Sequence, residues 1–217
     1  MKKDLTELVF ILDRSGSMSG LEKDTVGGFN SFIEKQKGVD GECLVSVVLF
    51  NNISSVTYDR VGLKEIRKME LNDYVPSGST ALIDAMGDAI HHIRNVHKYI
   101  REEDIPEHTM FVIMTDGEEN ASHRYSSDEV KKMVSQQKEN GWEFLVLGAN
   151  IDSVETAKEY GIDERRATNY HSDEKGTKKS FEVLSDAVCC LRSVGQVDEE
   201  WDREIAEDYN SRKADRH

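Results

Sequence analysis

Asp13, Ser15 and Ser17 stand at alternate positions in Asp13-Arg14-Ser15-Gly16-Ser17. Such spacing puts one carboxylate and two hydroxyls on a tight turn, with Gly16 leaving the backbone room to fold around a bound group. Hard oxygen donors of this kind suit Mg²⁺, Mn²⁺ or Ca²⁺. A second acid, Asp116, closes another apolar run, and a hydroxyl pair, Ser79-Thr80, stands where a helical pattern begins. Together these residues supply two carboxylates and up to four hydroxyls. That set could coordinate a divalent ion, with water completing the shell.

The elements that must position them are legible as patterns. The run Leu8 to Leu12 is continuously apolar, as in a strand buried on both faces, so Asp13 falls at a strand's carboxyl end, where open α/β sheets bind ligands. Thr109 to Thr115 reads in the same way and delivers Asp116. Adjacent parallel strands lie about 4.8 Å apart, so acids at neighbouring strand ends could share one cation. Further strands are predicted over 44–50, 53–58, 144–147 and 166–169, the first two joined by a turn at Asn51-Asn52. A loop with at most one short helical or extended piece is expected over 60–79.

Helices are predicted between the strands. Leu21, Val26, Phe29, Phe32 and Ile33 recur at helical spacing. Gly27-Gly28 inside that helix costs roughly 1 kcal/mol per glycine relative to alanine, a loss that close packing on the sheet would offset. Thr80 or Ser79 is expected to cap the next helix, whose stripe is Leu82, Ile83, Met86, Ala89, Ile90, Ile93 and Val96. Ser126 with Glu129 forms a capping box for a helix reaching about Asn140. Helices near 153–160 and 174–194 follow. The alternation implies an α/β fold: a Rossmann-like three-layer sandwich with a central, mostly parallel sheet, one antiparallel edge strand, and helices on both faces. Residues 1–196 are assigned to this domain and 197–217 to an acidic C-terminal tail, expected to be helical.

Composition narrows the partners. The chain has 217 residues, 37 % hydrophobic and 32 % charged, with a formal net charge of -14. That charge repels polyanions, which argues against nucleic acid and anionic membranes and suits cations. No run approaches a membrane span. Lys2-Lys3 precedes an apolar segment, but Asp4, Glu7 and Asp13 interrupt it and no cleavage site follows. Cys43, Cys189 and Cys190 are too few and too unevenly spaced for a disulfide framework or zinc site, so a reducing cytoplasm is the expected compartment.

Asp13-Arg14-Ser15-Gly16-Ser17 resembles the Asp-x-Ser-x-Ser motif of the von Willebrand factor type A family. Thr80 in Gly78-Ser79-Thr80-Ala81-Leu82 resembles that family's metal-site threonine, and Asp116 in Thr115-Asp116-Gly117 its second aspartate. The first motif alone is common. All three in order and strand context are specific, and the resemblance covers roughly residues 5–195. It implies a metal-ion-dependent adhesion site in which Ser15, Ser17 and Thr80 touch the ion, Asp13 and Asp116 act directly or through water, and an open position takes an acidic side chain of a partner protein. The cofactor implied is Mg²⁺, with Mn²⁺ or Ca²⁺ as substitutes. The partner implied is a protein, with AAA+ ATPases and stress-response components among the kinds used by stand-alone bacterial-type members. Met18-Ser19-Gly20 follows Ser17 where integrin β-subunits carry acids, so an adjacent second ion is not expected.

Other chemistries fit less well. A haloacid-dehalogenase phosphatase would need a general acid two residues after its aspartate, and Ser15 stands there. Gly16-Ser17-Met18-Ser19-Gly20 carries methionine where a nucleophile elbow carries serine. His91, His92 and His97 lack the spacing of a zinc pair and read as a polar helix face. Glu118 and Glu119 read as solvated turn residues. A binding module is therefore expected, rather than an enzyme; the competing readings are a metal-dependent phosphatase and a scaffold with a structural ion. In the tail, Trp201, Ile205 and Tyr209 form a narrow stripe. The preceding helix should end at the pole opposite the metal site, so the stripe is expected to dock on the domain's lower side or on a partner, clear of the site.

Overall fold

β1 (Lys2–Asp13) is one of the two central strands of the six-stranded sheet. In the computed structural model, residues 1–214 are described, with side chains through Arg212. Alternate β1 residues face opposite sides: Leu8, Phe10 and Leu12 enter one core, Val9 and Ile11 the other. Both sets are buried because helices cover both faces, which is why the sequence run is continuously apolar.

The remaining strands are β2 (Glu42–Phe50), β3 (Ser54–Gly62), β4 (Pro106–Thr115), β5 (Trp142–Gly148) and β6 (Ala167–Asn169). Their order is β3-β2-β1-β4-β5-β6, with β3 antiparallel to β2 at one edge and the other neighbours parallel. The helices are α1 (Glu22–Lys37), α2 (Leu82–Tyr99), α3 (Ser127–Glu139), α4 (Ser153–Glu159), α5 (Glu174–Val194) and α6 (Arg203–Ala214). One core layer holds α1, α5 and α6, the other α2, α3 and α4. This is the α/β fold expected, with its single antiparallel edge. The chain leaves β1 toward β2 and later returns to β4 on the other side. The β1–β4 boundary is therefore a topological switch point, where loops diverge and leave a crevice.

Several local expectations are corrected. Gly28 offsets its helix cost against a helix, not the sheet: a Cβ there would lie 2.2 Å from Phe181 Cδ2 on α5, whereas one at Gly27 would meet open space. The stretch 60–79 extends β3 to Gly62 and adds two single 3₁₀ turns, Leu63–Glu65 and Leu71–Asp73. Ser126 and Glu129 do form the capping box of α3. His97 is more than a surface residue. Its Nε2 lies 2.5 Å from Glu7 Oε2, and Arg60 Nε donates to Glu7 Oε1 at 2.5 Å. Glu7 is fully buried, so His97 and Arg60 meet a carboxylate that could not stand there unpaired.

The tail takes a different course from the one expected. Trp201 and Ile205 are buried, and Trp201 Nε1 donates to the Arg165 carbonyl just before β6. From there α6 climbs antiparallel to α5. Glu204 pairs with Lys179 at 2.7 Å, Asp208 with Lys175, and Arg212 with Asp173 at the start of α5. Tyr209 stacks on His171, with centroids 4.7 Å apart. The expected length was sound but the path was not. Alongside α5 the tail needs no detour round the domain, and a helix of 12 residues rises about 18 Å. It reaches the pole that bears the strands' carboxyl ends.

Candidate metal centre

Asp13 and Asp116 close neighbouring strands, as the sharing of one ion requires; Leu12 on β1 pairs with Met114 on β4. Both acids are buried, at 1 % and 2 % exposure. The Asp13 carboxylate accepts the Ser15 amide at 2.7 Å through Oδ1 and the Thr115 hydroxyl at 2.6 Å through Oδ2. The buried Tyr74 hydroxyl donates to the Asp13 carbonyl. Ser17 Oγ donates to Asp116 Oδ1 at 2.5 Å and lies 2.9 Å from Ser15 Oγ. Since the Ser17 proton is engaged, Ser15 donates in the second contact.

Thr80 arrives from the α2 side. Its amide donates to Asn120 Oδ1 at 2.9 Å, and its carbonyl accepts the Asn120 and Ala121 amides. Neither Thr80 nor Ser79 caps α2: the cap position is Ala81, without a side-chain bond. Glu119 does that work. Its Oε2 accepts the Ile83 amide at 2.8 Å and its Oε1 the Ala121 and Ser122 amides. Glu119 is thus half-buried and structural rather than a solvated turn residue, while Glu118 is exposed as expected. Relieved of capping, the Thr80 hydroxyl faces the site. A Cβ built on Gly117 would lie 3.1 Å from Thr80 Oγ1, 3.2 Å from Ser17 Oγ and 3.9 Å from Ser15 Oγ. Three hydroxyls therefore converge beside a glycine with no side chain to fill the cradle.

Glycine also permits the loops to close. The Gly16 amide donates to the Gly78 carbonyl at 3.0 Å, and a Cβ on Gly16 would meet that oxygen at 3.3 Å. Gly78 has φ +75° and lies against Asn52, a conformation and approach suited to glycine.

The electrostatics favour a cation. Burial pushes the Asp13 carboxyl above its ordinary range against the opposing bonds from Thr115 and Ser15, and the charge of Asp116 adds to the rise. Burial likewise raises Asp116 against its bonds from Ser17 and Ser172. Neither acid has an ion-pair partner among the described residues. No group of three or more His, Cys, Asp or Glu side chains converges among those residues either. The donor set here is two acids and three hydroxyls, all hard oxygens. The residues fit Mg²⁺, Mn²⁺ or Ca²⁺ and not a soft-metal site.

Spacing in sequence did not reveal the supporting residues. Tyr74 and Asn120 belong to two loops with no distinguishing pattern, and Thr115, although next to Asp116 in the motif, carried no sign that its hydroxyl would meet Asp13. Ser172, whose Oγ donates to Asp116 Oδ2 at 3.3 Å, lies 56 residues beyond its partner.

The model of the von Willebrand factor type A domain matches residues 7–182. The chain belongs to the von Willebrand factor type A family. No individually curated protein matches it. Among solved structures, the vWF domain of the type V pili tip protein Mfa5 from Porphyromonas gingivalis has TM-score 0.63 at 11 % identity, over 89 % of this chain and 98 % of that one. The mussel byssus proximal thread matrix protein 1 has TM-score 0.62 at 16 % identity, over 85 % of this chain. This type A chain spans 46 % of the mussel protein's length. A form of the mussel protein has a zinc-occupied MIDAS motif. Manganese-loaded Plasmodium vivax TRAP protein has TM-score 0.55 at 17 % identity, over 83 % of this chain and 74 % of that one. At these identities the likeness establishes the fold. Type A domains are metal-dependent adhesion and interaction modules. No helix among the described residues is long and apolar enough to cross a membrane.

Proposed function

We propose that this type A domain is a divalent-cation-dependent protein-binding module. Asp13, Ser15, Ser17, Thr80 and Asp116 would hold Mg²⁺, with Mn²⁺ or Ca²⁺ as substitutes. The observation that carries the reading is the convergence of three hydroxyls beside Gly117, next to two buried acids without basic partners among the described residues. A bound divalent ion would supply a Lewis-acidic position for a partner's carboxylate. The chain's own groups prepare it. Thr115 and the Ser15 amide orient Asp13, Ser17 orients Asp116, and the Asn120–Thr80 contact fixes the third hydroxyl. Neutral hydroxyls leave a cation more of its attraction for an incoming acid than carboxylates would.

The partner is a protein presenting Asp or Glu, in a cytoplasmic setting that the three free thiols support. AAA+ ATPases and stress-response components are candidate classes. Capture of a partner by the full chain that is lost in EDTA and in Asp13→Ala supports the reading. Capture that survives both treatments makes any ion structural. A panel of phosphate esters with Mg²⁺ tests the hydrolase rival: turnover abolished by Asp13→Asn would replace binding with catalysis.

A further inference from the structure

We propose that Ser172 is a positioning residue of the metal centre, acting through Asp116, and that α6 holds it there. This rests on the metal-binding reading above. Ser172 sits between β6 and α5, and its hydroxyl donates to Asp116 Oδ2, the oxygen that Ser17 leaves free. Both Asp116 oxygens thereby accept a serine proton. Such a carboxylate is fixed in orientation, as the outer partners of metal ligands commonly arrange.

The residues on either side of Ser172 are anchored to the tail. His171 stacks on Tyr209, and its Nε2 donates to the Tyr209 carbonyl at 3.1 Å. Asp173 accepts the Gly176 amide at 2.9 Å through Oδ1 and takes Arg212 on Oδ2. Tyr170, just before, donates its amide to the Gly148 carbonyl of β5 at 2.9 Å. The segment is thus pinned to the sheet on one side and by α6 around Ser172 itself. The acids of α6 that face α5, Glu204 and Asp208, are paired with Lys179 and Lys175. The tail therefore meets the site as a brace rather than as a competing carboxylate. Arg212 and Tyr209 are positioning residues, acting through Asp173 and His171.

Mn²⁺ titration of the full chain tests the proposal. Ser172→Ala should weaken Mn²⁺ binding roughly 10-fold, the scale seen when an outer partner of a metal ligand is removed, and Ser172→Thr should restore it. Arg212→Ala should weaken binding less, and the Ser172→Ala/Arg212→Ala double variant no more than Ser172→Ala alone, because both act through one residue. Glu204→Ala, two turns down α6, should leave Mn²⁺ affinity unchanged. Amide hydrogen exchange without metal reads the brace separately: Arg212→Ala should speed exchange over residues 170–177, and Glu204→Ala should not. Wild-type affinity in Ser172→Ala, with binding lost in Asp13→Ala, would overturn this inference and leave the metal reading standing. Wild type that binds no Mn²⁺ would overturn both. Unchanged exchange in Arg212→Ala would remove the role of α6.

Discussion

Asp116 shows what a single residue contributes and costs. It is buried beside Asp13, held by two serine hydroxyls, and its carboxyl is raised above the usual 3.8 chiefly by that burial. A raised folded value means that the folded state binds its proton more tightly than the unfolded chain does. The resulting penalty is absent below the ordinary carboxylate range and grows as pH rises from there through the raised value. Asp116→Asn should therefore stabilise the metal-free protein at pH 7, and the gain should fade on acidification. Denaturant titrations in EDTA at several pH values check this; a gain independent of pH would contradict it. Metal reverses the sign. At a free concentration ten times the dissociation constant, Mg²⁺ or Mn²⁺ should stabilise wild type by about 1.4 kcal/mol. Ser17→Ala should shrink that gain and Asp116→Asn should abolish it, as thermal melts with and without metal would read. Equal shifts in all three proteins would place the ion elsewhere.

At the scale of elements, the loop after β4 and the start of α2 form one unit. Glu119 caps α2 through Ile83 and ties Ala121 and Ser122 to the same carboxylate. Glu119→Ala should cost about 0.5–2 kcal/mol, the range for a lost helix cap. It should also weaken Mn²⁺ binding, because Thr80 is held by the neighbouring Asn120. A stability loss with unchanged Mn²⁺ affinity would separate the cap from the site. The contact between α1 and α5 offers a second test. Gly28→Ala drives a Cβ into the Phe181 ring and should destabilise by about 1–3 kcal/mol. Gly27→Ala meets open space and should stabilise by about 0.5–1 kcal/mol. Chemical denaturation of the pair reads the contrast directly, and losses of equal size would contradict the packing described here.

For the whole molecule, α6 is part of the folded body. Trp201 and Ile205 are buried in the same core as α1 and α5, and the rest of α6 is tied to α5 by charge. Trp201→Ala removes a large buried ring and its bond to Arg165, and should cost about 3–5 kcal/mol. An unfolding midpoint within error of wild type would show instead that α6 docks without contributing. Its loss should also loosen the segment that carries Ser172, so the metal pole and the far end of the domain are joined along one face.

The sequence by itself determined the strands and most of the helices, and it named the five residues proposed here to hold the ion. Those features rest on local rules. Continuous apolar runs mark strands buried on both faces, helical periodicity marks the covering helices, and acids at run ends mark the crevice. Only the tertiary structure decided which chains of contact support them. Glu119 looked like a solvated turn residue because the amide it caps, that of Ile83, lies on α2, 36 positions earlier. Gly28 looked like a sheet contact because nothing in the local pattern names Phe181, 153 positions away. The tail was read as remaining at the lower pole because its reach could be computed and its direction could not. Direction depends on the antiparallel match of Glu204, Asp208 and Arg212 with Lys179, Lys175 and Asp173, a pairing of two faces that exists only after both helices have folded and met.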